Sequence, residues 1–142
     1  MESAVLGVVL DSSVVIEAER QRFNVTRFLK QVATVIGDRE AALCSISVAE
    51  LAHGVHRAET PERREARRAF LDDLKATVPV YPITGETAEL VAKISAESSQ
   101  KGVTLPFDDL LIGACALERG YAVATHNQRH FRNIPGLDLI WL

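Results

Sequence analysis

The stretch 5–10 is apolar throughout, with a single glycine, and it stops at Asp11. A run of that length without alternation suits a strand covered on both faces, as in a parallel sheet. Asp11-Ser12-Ser13 then offers capping side chains, and the pattern predicts a helix over 14–18 and another over 25–36. Residues 41–46 read as a second strand, followed by a helix from Ser47 with Gly54 as a candidate break. Pro61 fits the first turn of a helix reaching residue 76, with Ala66, Ala69, Phe70 and Leu74 on one face. The stretch 78–83 is strand-like, but Pro79 and Pro82 confine it to an edge. Thr84 can cap a helix through Ser98 that turns Leu90, Val91 and Ile94 inward. A helix over 108–118 follows Pro106, and Gly120 is placed to end it. Residues 121–125 and 137–141 read as the last strands. Strands alternating with helices predict an α/β domain with a mainly parallel sheet.

Four polar residues sit at the ends of these apolar segments: Asp11, Glu50, Asp109 and Asn127. Each has an ordinary local explanation. Asp11 can N-cap a helix. Ser47-Val48-Ala49-Glu50 fits the capping-box pattern. Asp108 and Asp109 suit a helical first turn, and Asn127 suits a turn. Their joint placement needs more. Ligands of a parallel sheet gather beyond the carboxyl ends of its strands, so acids delivered there from distant segments converge. Converging carboxylates cannot all stay ionised without a compensating charge. A hard divalent cation, with its preference for oxygen ligands, supplies that charge. Asp11, Glu50 and Asp109 are the candidate ligands for Mg²⁺ or Mn²⁺, pointing to attack of metal-activated water on a phosphate ester.

Composition narrows the setting. With 142 residues, 47% hydrophobic and 25% charged, the chain is expected to form one globular domain over 1–142. A net charge of −3 gives no global basic field for nucleic acid, so an RNA partner must be held by a local patch and the metal. Cys44 and Cys115 lie in apolar segments and read as buried thiols of a reducing cytosol, with disulfide pairing left open. Residues 1–4 carry no positive leader region, and the following apolar run is too short to span a bilayer. A cytoplasmic protein without membrane association is the expectation.

Leu10-Asp11-Ser12-Ser13-Val14, Ser47-Val48-Ala49-Glu50-Leu51, Asp109-Leu110-Leu111-Ile112-Gly113-Ala114 and Thr125-His126-Asn127-Gln128-Arg129-His130-Phe131 together resemble the PIN-domain ribonucleases. The similarity is closest to VapC-type toxins of bacterial toxin–antitoxin pairs, and it covers nearly the whole chain in order. It implies a three-layer α/β/α fold and Mg²⁺-dependent endoribonuclease activity. It also implies a homodimer and inhibition within a heteromeric complex by a VapB-like antitoxin. By the same resemblance Asp11, Glu50 and Asp109 are the three family acids, with Asp109 preferred to Asp108 for its spacing to Ile112. Asn127 takes a fourth position that is often acidic. It supplies no charge, which leaves open one ion or two, and Asp108 can compensate. Ser12 stands where the family usually has threonine and is expected to orient Asp11 or a metal water, with Thr125 in support. The antitoxin tail is expected in a groove walled by Val48, Leu51, Val55 and the Phe70 helix.

Other features carry less. His53 with His56, or His126 with His130, have a spacing open to zinc, but neither pair joins a glutamate in an H-E-x-x-H arrangement. His126 reads as a solvated loop residue. Arg63-Arg64-Glu65-Ala66-Arg67-Arg68 is the one basic cluster; a solvated face balanced by Glu59, Glu62, Glu65, Asp72 and Asp73 is preferred to a grip on RNA phosphates. A non-enzymatic, receiver-like metal-binding module is the alternative. It lacks an acidic pair before Asp11 and a lysine after Thr125. An aspartyl phosphatase needs a second Asp where Ser13 stands.

Overall fold

The computed structural model describes residues 5–142; the four residues read above for leader character lie outside them. β1 (Gly7–Leu10) occupies the centre of a five-stranded parallel sheet ordered β3-β2-β1-β4-β5. β2 (Glu40–Cys44) and β4 (Ala122–Ala124) flank it, with Val9 opposite both Ala42 and Val123. β3 (Val80–Tyr81) and β5 (Leu139–Ile140) form the edges, in line with the prolines around β3.

Every residue of β1 is buried, as an unbroken apolar run requires. Alternate side chains serve opposite faces. Val8 and Leu10 join Leu43 and Ala124 in a core with α1 (Ser12–Arg20), α2 (Val25–Ile36), α3 (Ser45–His56) and α4 (Pro61–Thr77). Val9, Cys44 and Val123 join the other core, with α5 (Gly85–Gln100), α6 (Phe107–Arg119) and Phe131 of the short α7 (Gln128–Phe131). The result is the expected three-layer α/β/α architecture with an all-parallel sheet. Cys44 and Cys115 are buried free thiols in contact within the second core. Among the described residues no helix is long and apolar enough to cross a membrane.

Several local expectations need correction. β1 begins at Gly7, and Leu6 is 63% exposed, its N–H donating to the Gly120 carbonyl at 3.0 Å. α1 starts at Ser12, directly after the strand. β2 stops at Cys44, so α3 begins at Ser45 and runs through Gly54. This removes the capping box: Cys44 is the N-cap residue, Ser47 is fully buried within the first turn, and Glu50 lies a turn further on. Leu51, Val55 and Phe70 are core residues, and Phe70 packs on Phe28 with ring centroids 6.1 Å apart. They cannot wall an open groove.

The strand order reverses at β1. The chain steps outward through β2 and β3, then returns to the other side of β1 with β4. The crevice at such a switch point, beyond the carboxyl ends of β1 and β4, is where doubly wound sheets bind ligands. Asp11 and Thr125 are the residues that leave those two strands.

Candidate active site

Asp11 is only 4% exposed, and its main-chain N–H extends the ladder to the Ala124 carbonyl at 2.9 Å. It stands at the N-cap position of α1, but its side chain caps no backbone N–H there. Instead Oδ2 accepts hydrogen bonds from Ser13 Oγ and Thr125 Oγ1, both at 2.8 Å. A hydroxyl has one proton. With both protons directed at Asp11, the 3.3 Å approach of Ser13 Oγ to Thr125 Oγ1 carries none. The hydroxyl oxygens accept in turn: Ser13 Oγ from the His126 N–H at 3.0 Å, and Thr125 Oγ1 from the Asn127 N–H at 2.9 Å. One carboxylate oxygen is thereby fixed across the β1–β4 seam. Oδ1 takes no hydrogen bond from the described residues and is left for a ligand.

Glu50 reaches this end of the sheet from α3, its Oε1 accepting from Ser12 Oγ at 3.2 Å. Burial first, and the Asp11 charge second, push its carboxyl up to about 7; Asp108 and Asp109 push the same way. Asp109, in the first turn of α6, meets His130 Nδ1 at 3.3 Å through Oδ2. Burial raises its carboxyl, His130 opposes the rise, and the charges of Asp11 and Asp108 add to it. Asp108 is exposed and lines the cavity beside Glu50. Asn127 is exposed at the start of α7, tied to the site through its main-chain N–H.

Burial and neighbouring acid charge raise the Glu50 and Asp109 carboxyls, and clustered carboxyl oxygens of this kind are a donor set for a hard cation. Among the described residues, no three acidic, histidine or cysteine side chains stand as a closed ligand set around one point. Mg²⁺ does not need one, because it keeps several waters and takes one or two carboxylates. Asp11 Oδ1 and the neighbouring Glu50 and Asp109 fit that requirement.

Beside Glu50 and Asp108 opens a cavity of about 570 Å³, lined also by Arg57, Arg63, Arg67 and Glu59. The arginine run is therefore divided by the helix period. Arg63 and Arg67 turn to the cavity, whereas Arg68 pairs with Asp72 at 2.9 Å and Arg64 bonds the Ala58 carbonyl at 3.3 Å. The solvated-face reading holds for Arg68 and for the exposed Arg63, which meets Glu59 at 3.8 Å, whereas the half-buried Arg67 bonds the Gly54 carbonyl.

Ser12 bonds Glu50 rather than Asp11, and Ser13 does the orienting expected of it. Adjacent positions on a helix point about 100° apart, so two serines after a strand-end aspartate serve different partners; that spacing was the available signal for Ser13. His126 is half-buried rather than a free loop side chain: it packs on Trp141 with ring centroids 4.9 Å apart, and its Nε2 meets the Leu142 carbonyl at 3.2 Å. With His130 engaged on Asp109, the His126–His130 pair does not converge.

The arrangement has counterparts. Ribonuclease VapC1 of Rickettsia felis is 26% identical over 135 residues, covering 95% of this chain and 96% of the relative. The tRNA(fMet)-specific endonuclease VapC of Salmonella typhimurium is 28% identical over 121 residues, 84% of this chain and 80% of the relative. A chain of the DNA-bound VapBC structure from Salmonella typhimurium superposes with a TM-score of 0.79 at 26% identity, covering 96% of this chain and 98% of that one. The fold also matches VapBC2 of Rickettsia felis, at a TM-score of 0.81, 21% identity and coverage of 95% and 98%. The PIN domain family model matches residues 8–137, a span that includes all of β1 but Gly7, the acids on α3 and α6, and the turn after β4. This chain belongs to the PIN domain family.

Proposed function

We propose that the protein is a metal-dependent endoribonuclease acting as the toxin of a toxin–antitoxin pair in the cytosol. The observation that carries the proposal is the state of Asp11: buried, with Oδ2 fixed by two hydroxyls and Oδ1 open, beside a Glu50 whose carboxyl is raised to about 7. Relatives named as VapC ribonucleases align along nearly the full chain and support RNA as substrate. The same relatives disfavour a purely regulatory metal-binding module. Mg²⁺ or Mn²⁺, held by Asp11, Glu50 and Asp109, supplies water activation and charge neutralisation at the phosphate when bound. The protein's own tasks are to hold Asp11 in one geometry through Ser13 and Thr125, to place Glu50 through Ser12, and to steady Asp109 through His130. Asn127 offers an amide beside this site and leaves the charge balance to the three acids and Asp108.

VapBC complexes among the structural neighbours support a VapB-like antitoxin as the partner in a heteromeric complex, and the family resemblance adds a toxin homodimer to that proposal. Incubation with total bacterial RNA in Mg²⁺ or Mn²⁺ tests the activity. Discrete fragments are expected, lost in EDTA and in Asp11→Asn or Asp109→Asn. Cleavage that survives Asp11→Asn in a folded protein overturns the site; a folded protein inert towards all RNA overturns the function.

A further inference from the structure

The cavity beside the acids has a built cationic wall. Glu50, His53, Gly54 and Arg57 follow the i, i+3, i+4, i+7 spacing of one helix face on α3, and all line the cavity. At 1.5 Å per residue, Arg57 stands about 10 Å along the helix axis from Glu50. α4 packs alongside and brings in Arg63 and Arg67, one turn apart. Arg67 braces the two helices, its Nη1 donating to the Gly54 carbonyl at 2.8 Å. Arg57 makes no side-chain hydrogen bond or ion pair with the described residues. Arg63 meets only Glu59, at 3.8 Å with both side chains largely exposed, a weak kind of pair. Glu50 pairs with none of the three arginines. The cavity is thus lined by Glu50 and Asp108, by Arg57 about two helical turns from Glu50, and by Arg63 with Glu59, whose exposed carboxylate is only a weak partner for it.

Such a cleft suits a polyanion that brings one phosphate to the acids, where a cation offsets their charge, and a neighbouring phosphate to the arginines. Its volume, about 570 Å³, is in the range of small-ligand sites, enough for a nucleotide and not for a duplex. Resting on the ribonuclease reading above, we propose that Arg57 and Arg63 bind a backbone phosphate of single-stranded RNA flanking the scissile one, with Arg67 as their brace. The strand then runs from the carboxyl end of β1 along the face of α3 toward the α3–α4 turn.

The test compares Arg57→Glu/Arg63→Glu with Arg57→Lys/Arg63→Lys. Both positions are exposed, and thermal unfolding checks that the variants fold. Binding of a short labelled single-stranded RNA is followed against salt in an Asp11→Asn background, which blocks cleavage. Cleavage kinetics are measured with Asp11 intact. Single-strand binding changes with salt by about −0.7 in log–log slope per phosphate neutralised, so losing the one phosphate that the two arginines share makes the slope shallower by about 0.7. The charge reversal is expected to do this and to raise Kd and KM by about tenfold or more, with kcat within about twofold. The lysine variant keeps most of the slope. An unchanged slope and KM in the reversal, with wild-type cleavage intact, overturns the arginine wall and leaves the ribonuclease reading standing. An arginine-dependent slope in a protein that cleaves no RNA does the reverse. A reversal that spares RNA affinity but releases the antitoxin also overturns the proposal, by giving the wall to a protein partner.

Discussion

Two hydroxyl protons on one oxygen of Asp11 make that carboxylate the most constrained group of the site. Thr125 is fully buried and serves twice, donating to Asp11 and accepting from the Asn127 N–H. Thr125→Val keeps its shape and removes both bonds. It is expected to lower stability by about 1–3 kcal/mol and to reduce cleavage markedly, as read by urea unfolding and kcat. Ser13→Ala is expected to reduce kcat more than Ser12→Ala, since Ser12 contacts Glu50 alone. Glu50 has the opposite sign from most acids. Its folded carboxyl titrates near 7, above its ordinary value, so between those values the folded state holds more protons than the unfolded one. Stability then falls as pH rises. In EDTA, Glu50→Gln is expected to raise Tm by a few degrees at pH 8 and by little at pH 5; an equal gain at both pH values would rule out the charge explanation.

Two glycines show how elements constrain sequence differently. A Cβ on Gly7 would lie 2.6 Å from the Glu40 carbonyl oxygen and 2.8 Å from the Tyr121 ring. Those neighbours are held: both Tyr81 and Tyr121 donate their hydroxyls to Glu40, and Arg119 stacks 3.3 Å over the Tyr81 ring. Gly7→Ala is expected to cost about 1–3 kcal/mol, seen as a lower urea midpoint. Gly54 lies inside α3 with open space where a Cβ would go. Gly54→Ala is expected to stabilise by about 1 kcal/mol in the same measurement. The sequence pattern marks Gly54 as a break because glycine is a poor helix former. Burial of Leu51 and Val55 on either side outweighs that weakness. The element boundaries that were hardest to read lie at strand–helix junctions without loops, such as Leu10–Ser12 and Cys44–Ser45. Strand and helix meet there with at most one residue between them, so periodicity has no loop in which to locate the change.

At the scale of the molecule, the switch in strand order brings Asp11 and Thr125 together, and the two helical layers deliver Glu50 from one side and Asp109 from the other. A cation bound between the layers, as proposed, would tie them together. Mn²⁺ or Mg²⁺ is expected to raise the Tm of the wild type in a concentration-dependent way, by linkage to the folded state, and to leave Asp11→Asn nearly unmoved. An equal shift in both would place the ion elsewhere.

Unbroken apolar strands, alternation with helices and acids at strand ends were legible along the chain, because burial on both faces and proximity to strand termini leave local signatures. They define the α/β class and nominate Asp11, Glu50 and Asp109. Which serine holds Asp11, which arginines share a cavity with Glu50, and whether Leu51, Val55 and Phe70 line a groove or a core were not legible. These depend on contacts between residues far apart in sequence, such as Ser13 with Thr125 and Gly54 with Arg67, and on the exact turn at which each helix begins. A shift of one residue turns a side chain by about 100°, so the identity of each neighbour is settled by packing across layers rather than by any local pattern.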